Sequence, residues 1–100
     1  MTQQVPLLIN GELIQSESTT ILDVTNPATQ EVIATVPCAT DAEVERAVEA
    51  AKAAFETWKE TPVGERARLM LRYQALLKEN HDELATLLAQ ETGKTFDDAK

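Results

Sequence analysis

Few residues in this 100-residue chain have side chains suited to covalent or acid–base chemistry: one cysteine, Cys38, one histidine, His81, and an arginine cluster, Arg66, Arg68 and Arg72. Cys38 follows Pro37 and stands two residues ahead of Thr40, which reads as a helix cap, and a nearby helix N-terminus lowers a thiol pKa. A nucleophilic cysteine also needs a base, and His81 is far along the chain, so Cys38 reads as scaffold. His81 has no second histidine or cysteine at ligand spacing, which makes it a surface histidine rather than a metal ligand. Arg68 and Arg72 fall on the polar side of a helix with Glu65 and Glu79, a solvated face rather than a phosphate site. Arg66 differs, because the helical wheel sets it between Tyr73 and Leu77. It is expected to be a structural anchor that finds a carboxylate or carbonyl, with Glu56 and Glu60 as candidates or a partner outside these residues. The glycines at 11, 64 and 93 make no phosphate loop, and carboxylates alternate with bases instead of forming an isolated acid pair. The residues themselves therefore nominate no catalytic, cofactor-binding or metal site.

The elements that would position any chemistry are easier to read. In "LLINGELI", Asn10-Gly11 separates two apolar runs, and both residue types tolerate the positive φ of a two-residue hairpin turn. "ILDVT" and "EVIATV" flank Asn26-Pro27-Ala28-Thr29-Gln30, a second hairpin in which Pro27 suits the first corner of a type I turn, and a type I turn plus bulge needs one left-handed residue. Within "EVIATV", Val32, Ala34 and Val36 share one face and Ile33 and Thr35 the other, so both faces are expected to meet protein.

Thr40 with Glu43 forms a capping-box pattern. It opens a helix whose Val44, Ala47, Val48, Ala51, Ala54, Phe55 and Trp58 lie in a stripe of about 120°. Glu45, Glu49, Lys52, Glu56 and Lys59 occupy the opposite face. Thr61 is then expected to cap and Pro62 to begin a second helix, with Leu69, Met70, Tyr73, Leu76 and Leu77 inward. Asn80 with Glu83 repeats the cap signature for a third helix carrying Leu84, Leu87 and Leu88. Gly93 suits a left-handed stop, and Thr95 with Asp98 starts a further helix that the chain does not finish, the look of a truncated sequence.

Composition bounds the partners. Net charge is −8, and the first fifty residues hold eight acids against a single arginine. That balance argues against nucleic acid or an anionic membrane. Alanine supplies 14 residues and aromatic residues make up only 4%, which favours close helix contacts over a bulky interior. A lone cysteine forms no internal disulfide, and no basic-then-apolar leader or membrane span is present, so a cytoplasmic protein is expected.

Taken in order, "LLINGELI", "NPATQEVIATVP", the alanine-rich helix ending in Phe55-Glu56-Thr57-Trp58, and "ERARLMLRYQALLKENHDELATLLAQETGKT" resemble the N-terminal part of the aldehyde dehydrogenase superfamily. "LRYQALLKEN" and "ETGKTFDDA" are most similar to its CoA-acylating methylmalonate-semialdehyde dehydrogenase branch. The resemblance implies an α/β fold in which 1–37 forms β-hairpins and 40–100 helices, all within the NAD-binding domain. The catalytic and oligomerisation regions would lie outside this chain. It further implies that the whole protein oxidises methylmalonate or malonate semialdehyde with NAD and CoA to propionyl-CoA or acetyl-CoA, as a homo-oligomer (tetramer or dimer). A hydrolytic aldehyde dehydrogenase, or a helical interaction module without catalysis, are the alternatives. In the family a cysteine thiolate attacks the aldehyde, hydride passes to the nicotinamide, and CoA or water takes the thioester. No position here matches that catalytic motif, so the resemblance gives Cys38 no role, and the 100 residues alone are expected to be inactive.

Overall fold

The computed structural model describes residues 3–100, which form five strands followed by four helices, an α/β chain. They divide into two units, Met1–Thr25 with Val32–Glu60, and Asn26–Glu31 with Thr61–Lys100.

In the first unit β1 (Gln3–Gln4), β4 (Ile21–Thr25) and β5 (Val32–Pro37) make a three-stranded sheet in the order β1-β5-β4. β4 and β5 are the expected antiparallel hairpin. β1 was not legible as a separate strand; it pairs in parallel with β5, Gln3 opposite Ala34 and Gln4 opposite Thr35. This makes β5 central, so its residues from Ile33 to Val36 are half-buried and Pro37 is buried. The ladder slips between Val24↔Ala34 and Thr25↔Val32, leaving Ile33 as the extra residue of a bulge. The bulge interrupts the simple alternation expected for "EVIATV". β2 (Leu7–Ile9) and β3 (Glu12–Ile14) pair separately around Asn10-Gly11, whose φ values of 53° and 77° are those of a type I′ turn.

α1 (Asp41–Trp58) starts at Thr40 with a complete capping box: Thr40 Oγ1 accepts from Glu43 N, and Glu43 Oε1 accepts from Thr40 N. Its polar face carries the i,i+3 pairs Lys52–Glu49 at 3.7 Å and Lys59–Glu56 at 3.2 Å. Both are solvated and contribute about 0.3–0.5 kcal/mol at most. The apolar stripe is largely uncovered, with Val44 52%, Val48 51% and Phe55 55% exposed.

In the second unit α2 (Val63–Glu79), α3 (His81–Thr92) and α4 (Phe96–Ala99) follow in sequence. The expected cap at Thr61 is replaced by Pro62, which is itself the N-cap, with no side-chain cap bond. Its ψ of 149° is extended, and its carbonyl accepts from Glu65 N and Arg66 N. Proline's fixed φ suits that position, so the helix begins one residue later than read. Asn80 does separate α2 from α3, but its capping box does not form. At φ −103° and ψ 18° the backbone is not the extended N-cap conformation, and Asn80 Nδ2 donates back to Leu76 O at 2.9 Å. Gly93 closes α3 at φ 74°, and Thr95 Oγ1 accepts from Asp98 N to open α4. Ala85 is buried, whereas Leu76, Leu84 and Leu87 keep about half of their surface exposed. The helix faces are apolar as the sequence dictated, yet little within these residues covers them.

The loop Asn26–Glu31 refines the turn reading. Gln30 N donates to Asn26 O and Asn26 N to Glu31 O, so an i→i+4 bond closes the loop in place of the i→i+3 bond of a type I turn. Asn26 Oδ1 accepts from Ala28 N, and Gln30 has φ 65°, a left-handed conformation. An L-residue there is strained by about 1–2 kcal/mol. The exposed bond from Gln30 Nε2 to Pro27 O, 2.9 Å, offsets part of that cost. Gln30→Gly is therefore expected to stabilise the protein by about 0.5–1 kcal/mol. Paired denaturant titrations of the two proteins measure it, and a destabilised glycine variant would show that the side-chain bond outweighs the strain.

Candidate functional site

Cys38 belongs to the first unit, and His81 and Arg66 to the second. Cys38 is half-buried, and its backbone N–H continues the β4–β5 ladder by donating to Thr20 O at 2.8 Å. Among the described residues no basic side chain is bonded to it. His81 is exposed, with Nε2 3.3 Å from the Lys100 carbonyl oxygen and Nδ1 3.8 Å from Asp82 Oδ1. No group of three or more metal-ligating side chains occurs among the described residues.

The Arg66 side chain has no partner among the described residues. The residue is exposed, and only its backbone is hydrogen-bonded, with its N–H donating to Pro62 O, while Glu56 takes Lys59 as its partner. That face of α2 is not desolvated here, so nothing obliges the guanidinium to find a carboxylate.

The most organised polar cluster centres on Glu43, which is 6% exposed. Its Oε1 accepts from Ser16 Oγ at 2.7 Å and from Thr40 N at 2.8 Å, and Oε2 accepts from Glu17 N at 2.9 Å. The Ser16 hydroxyl foremost, then the Thr40 and Glu17 amides, lower its pKa to about 2, against a smaller opposing effect of burial. A carboxylate this acidic holds no proton near neutral pH, and three of its roughly four acceptor sites are taken. It is thus neither a general acid nor an available base. Its work is mechanical, joining the Ser16–Glu17 loop to the start of α1. The capping box was legible from four adjacent residues, but the reach to Ser16 spans 27 positions and left no sequence signal.

The surface grooves are shallow. One of about 520 Å³ beside α1 is lined by Glu12, Glu45, Glu49 and Arg46, and another of about 390 Å³ by Leu7, Val44, Ala47 and Val48. In the second unit Asn26, Thr86, Gln90 and Gly93 border about 300 Å³. A common dinucleotide cradle is a glycine-rich turn at a free helix N-terminus. The N-terminal amide of Glu43 in α1 is already bonded to Thr40, and α2 begins behind Pro62. These residues do not fit a nicotinamide dinucleotide. No helix among the described residues is long and apolar enough to cross a membrane.

Comparison with known proteins agrees with that architecture. The aldehyde dehydrogenase family model matches residues 13–100. The acylating mitochondrial methylmalonate-semialdehyde dehydrogenase of Arabidopsis thaliana is 46% identical over 99 residues, covering 99% of this chain and 16% of that protein. A malonate-semialdehyde dehydrogenase of Bacillus cereus (strain B4264) is 53% identical over 91 residues, covering 91% of this chain and 19% of its own length. Among solved structures, a protein from Sinorhizobium meliloti 1021 assigned as a methylmalonate-semialdehyde dehydrogenase and complexed with NAD superposes with a TM-score of 0.94. It is 41% identical, and the match covers 99% of this chain and 20% of that one. The chain thus spans about a fifth of the length of the proteins it matches. With the family model matching 88 of its 100 residues, from 13 to 100, the chain belongs to the aldehyde dehydrogenase family.

Proposed function

We propose that these residues are the N-terminal scaffold of the cofactor-binding domain of an NAD-dependent, CoA-acylating malonate or methylmalonate semialdehyde dehydrogenase. The observation that carries this reading is the identity of 46–53% to semialdehyde dehydrogenases, one of them named as acylating. NAD supplies the hydride acceptor of such a reaction. The aldehyde carbon leaves as a CoA thioester, and the carboxylate of the semialdehyde leaves as carbon dioxide. NAD, CoA and the attacking thiol are assigned to parts of the longer protein, because Cys38 lacks a base and no groove here suits a dinucleotide. The segment's contribution is to hold strands and helices in register for them, and a cytoplasmic homo-oligomer remains the expectation for the whole protein.

The test is an assay of the full-length protein with malonate and methylmalonate semialdehydes. NADH formation that requires CoA, with acyl-CoA as product, is the expected result. NADH formation with free acid as product and no need for CoA would favour the hydrolytic reading instead. In the same assay Cys38→Ser is expected to change turnover by less than about twofold, the range of a substitution away from the reacting groups. Loss of turnover with the fold intact would place chemistry in this segment and overturn the scaffold reading.

A further inference from the structure

The β2–β3 turn places an asparagine directly before a glycine. Asn10 and Gly11 both have positive φ and are exposed. Neither the Asn10 carboxamide nor the Gly11 N–H has a hydrogen-bond partner among the described residues. A β-carbon built on Gly11 would meet nothing within 4 Å, so the space around that residue is open. The hairpin has only three residue pairs and no further strand beside it. A two-stranded ribbon of that length opens readily, which lets Asn10 sample the backbone angles that bring its side chain against the next amide.

We propose that Asn10 is a site of spontaneous deamidation, with the Gly11 amide nitrogen as nucleophile and water as co-reactant. The Gly11 nitrogen attacks Asn10 Cγ and gives up its proton to solvent base. The bond from Cγ to the side-chain nitrogen breaks, ammonia leaves, and a five-membered imide forms. Water then adds to either imide carbonyl, leaving aspartate or isoaspartate at position 10. One water is consumed, one ammonia is released and no electrons are transferred. Glycine at position 11 favours the attack because no β-carbon stands beside the nucleophile.

The change would act on the hairpin's seat against α1. Asn10 lines the groove with Glu12, Glu45, Glu49 and Arg46. A new carboxylate there adds to three others beside one arginine, so repulsion grows. Isoaspartate also routes the backbone through the side-chain carbon, which a two-residue type I′ turn cannot accommodate. The turn is in effect a clock that loosens the hairpin as the protein ages.

The other two asparagines are internal controls. Asn26 precedes Pro27, which has no N–H to attack with. Asn80 is held by its bond to Leu76 O at a helix junction and is followed by His81. The full-length protein, kept folded in mildly alkaline buffer, would be sampled over weeks and cut with a glutamate-specific protease. Mass spectrometry would follow the peptide ending at Glu12, and enzymatic methylation would count isoaspartate. Asn10 is expected to convert about tenfold faster than Asn80 or more, a barrier difference of at least about 1.4 kcal/mol, with slower conversion in mildly acidic buffer. Equal rates at Asn10 and Asn80, or conversion of Asn10 in urea but not in the folded protein, would overturn the proposal.

Discussion

Replacing Glu43 with alanine is expected to lower the melting temperature of the full-length protein by several degrees and to flatten part of its acid-unfolding curve. The variant strands three donors at once, the Ser16 hydroxyl and the Glu17 and Thr40 amides. It also halves the capping box of α1, since only Thr40 Oγ1 remains to accept from residue 43. Buried donors left without acceptors cost their full desolvation. The pH dependence follows from the direction of the shift. Glu43 has a folded pKa depressed to about 2. Its contribution is therefore fully present above the ordinary carboxylate range near about 4.3 and is lost as the pH falls from there toward 2. Thermal melts at neutral pH and near pH 3, for wild type, Glu43→Gln and Glu43→Ala, separate the effects. Gln keeps one acceptor oxygen and should fall between the other two at neutral pH, and both variants should lose less stability on acidification than wild type. Parallel curves for all three proteins would show that Glu43 does not hold the loop to α1.

The second large effect is expected at Gly93, where valine should destabilise by about 3 kcal/mol and alanine by about 1–2 kcal/mol. Two causes add. Gly93 sits at φ 74°, which an L side chain adopts only under strain, and a β-carbon there would lie 3.0 Å from Pro27 Cγ. The proline ring cannot swing away as a flexible side chain would, and a β-branched residue adds a second atom to the same crowded site. Gly11 provides the comparison, since its φ is 77° but its space is open. Gly11→Ala therefore measures the conformational strain alone, and the excess cost at Gly93 measures the contact with Pro27. Pro27→Ala combined with Gly93→Ala should recover that excess. Equal losses at the two glycines, read from denaturant midpoints, would remove the steric part of the argument.

These two predictions also divide what was legible in the sequence from what was not. Thr40 with Glu43, Thr95 with Asp98, the Asn10-Gly11 turn and the left-handed stop at Gly93 all involve residues within four positions of each other, and each is observed as read. Local steric preference and local hydrogen bonding decide such features, so neighbouring residues suffice to specify them. Where a local pattern failed, a competing local bond prevailed. Asn80 donates to Leu76 O in place of capping α3, and Pro62 takes the cap position from Thr61.

By itself, then, the sequence determined the element types, the hairpin turns, the helix ends and the apolar stripes. It also determined family membership, because the motif order is unusual enough to stand without coordinates. Only the tertiary structure decided that β1 lies parallel to β5, that Ile33 is bulged, that Glu43 reaches across to Ser16, and that Pro27 fills the space over Gly93. It also decided that Arg66 stays in solvent, although its wheel position suggested burial. The physical reason is common to all five: each depends on which distant surfaces meet or fail to meet. A propensity or a periodicity records how a residue relates to its neighbours along the chain, and carries no term for the element that will pack against it.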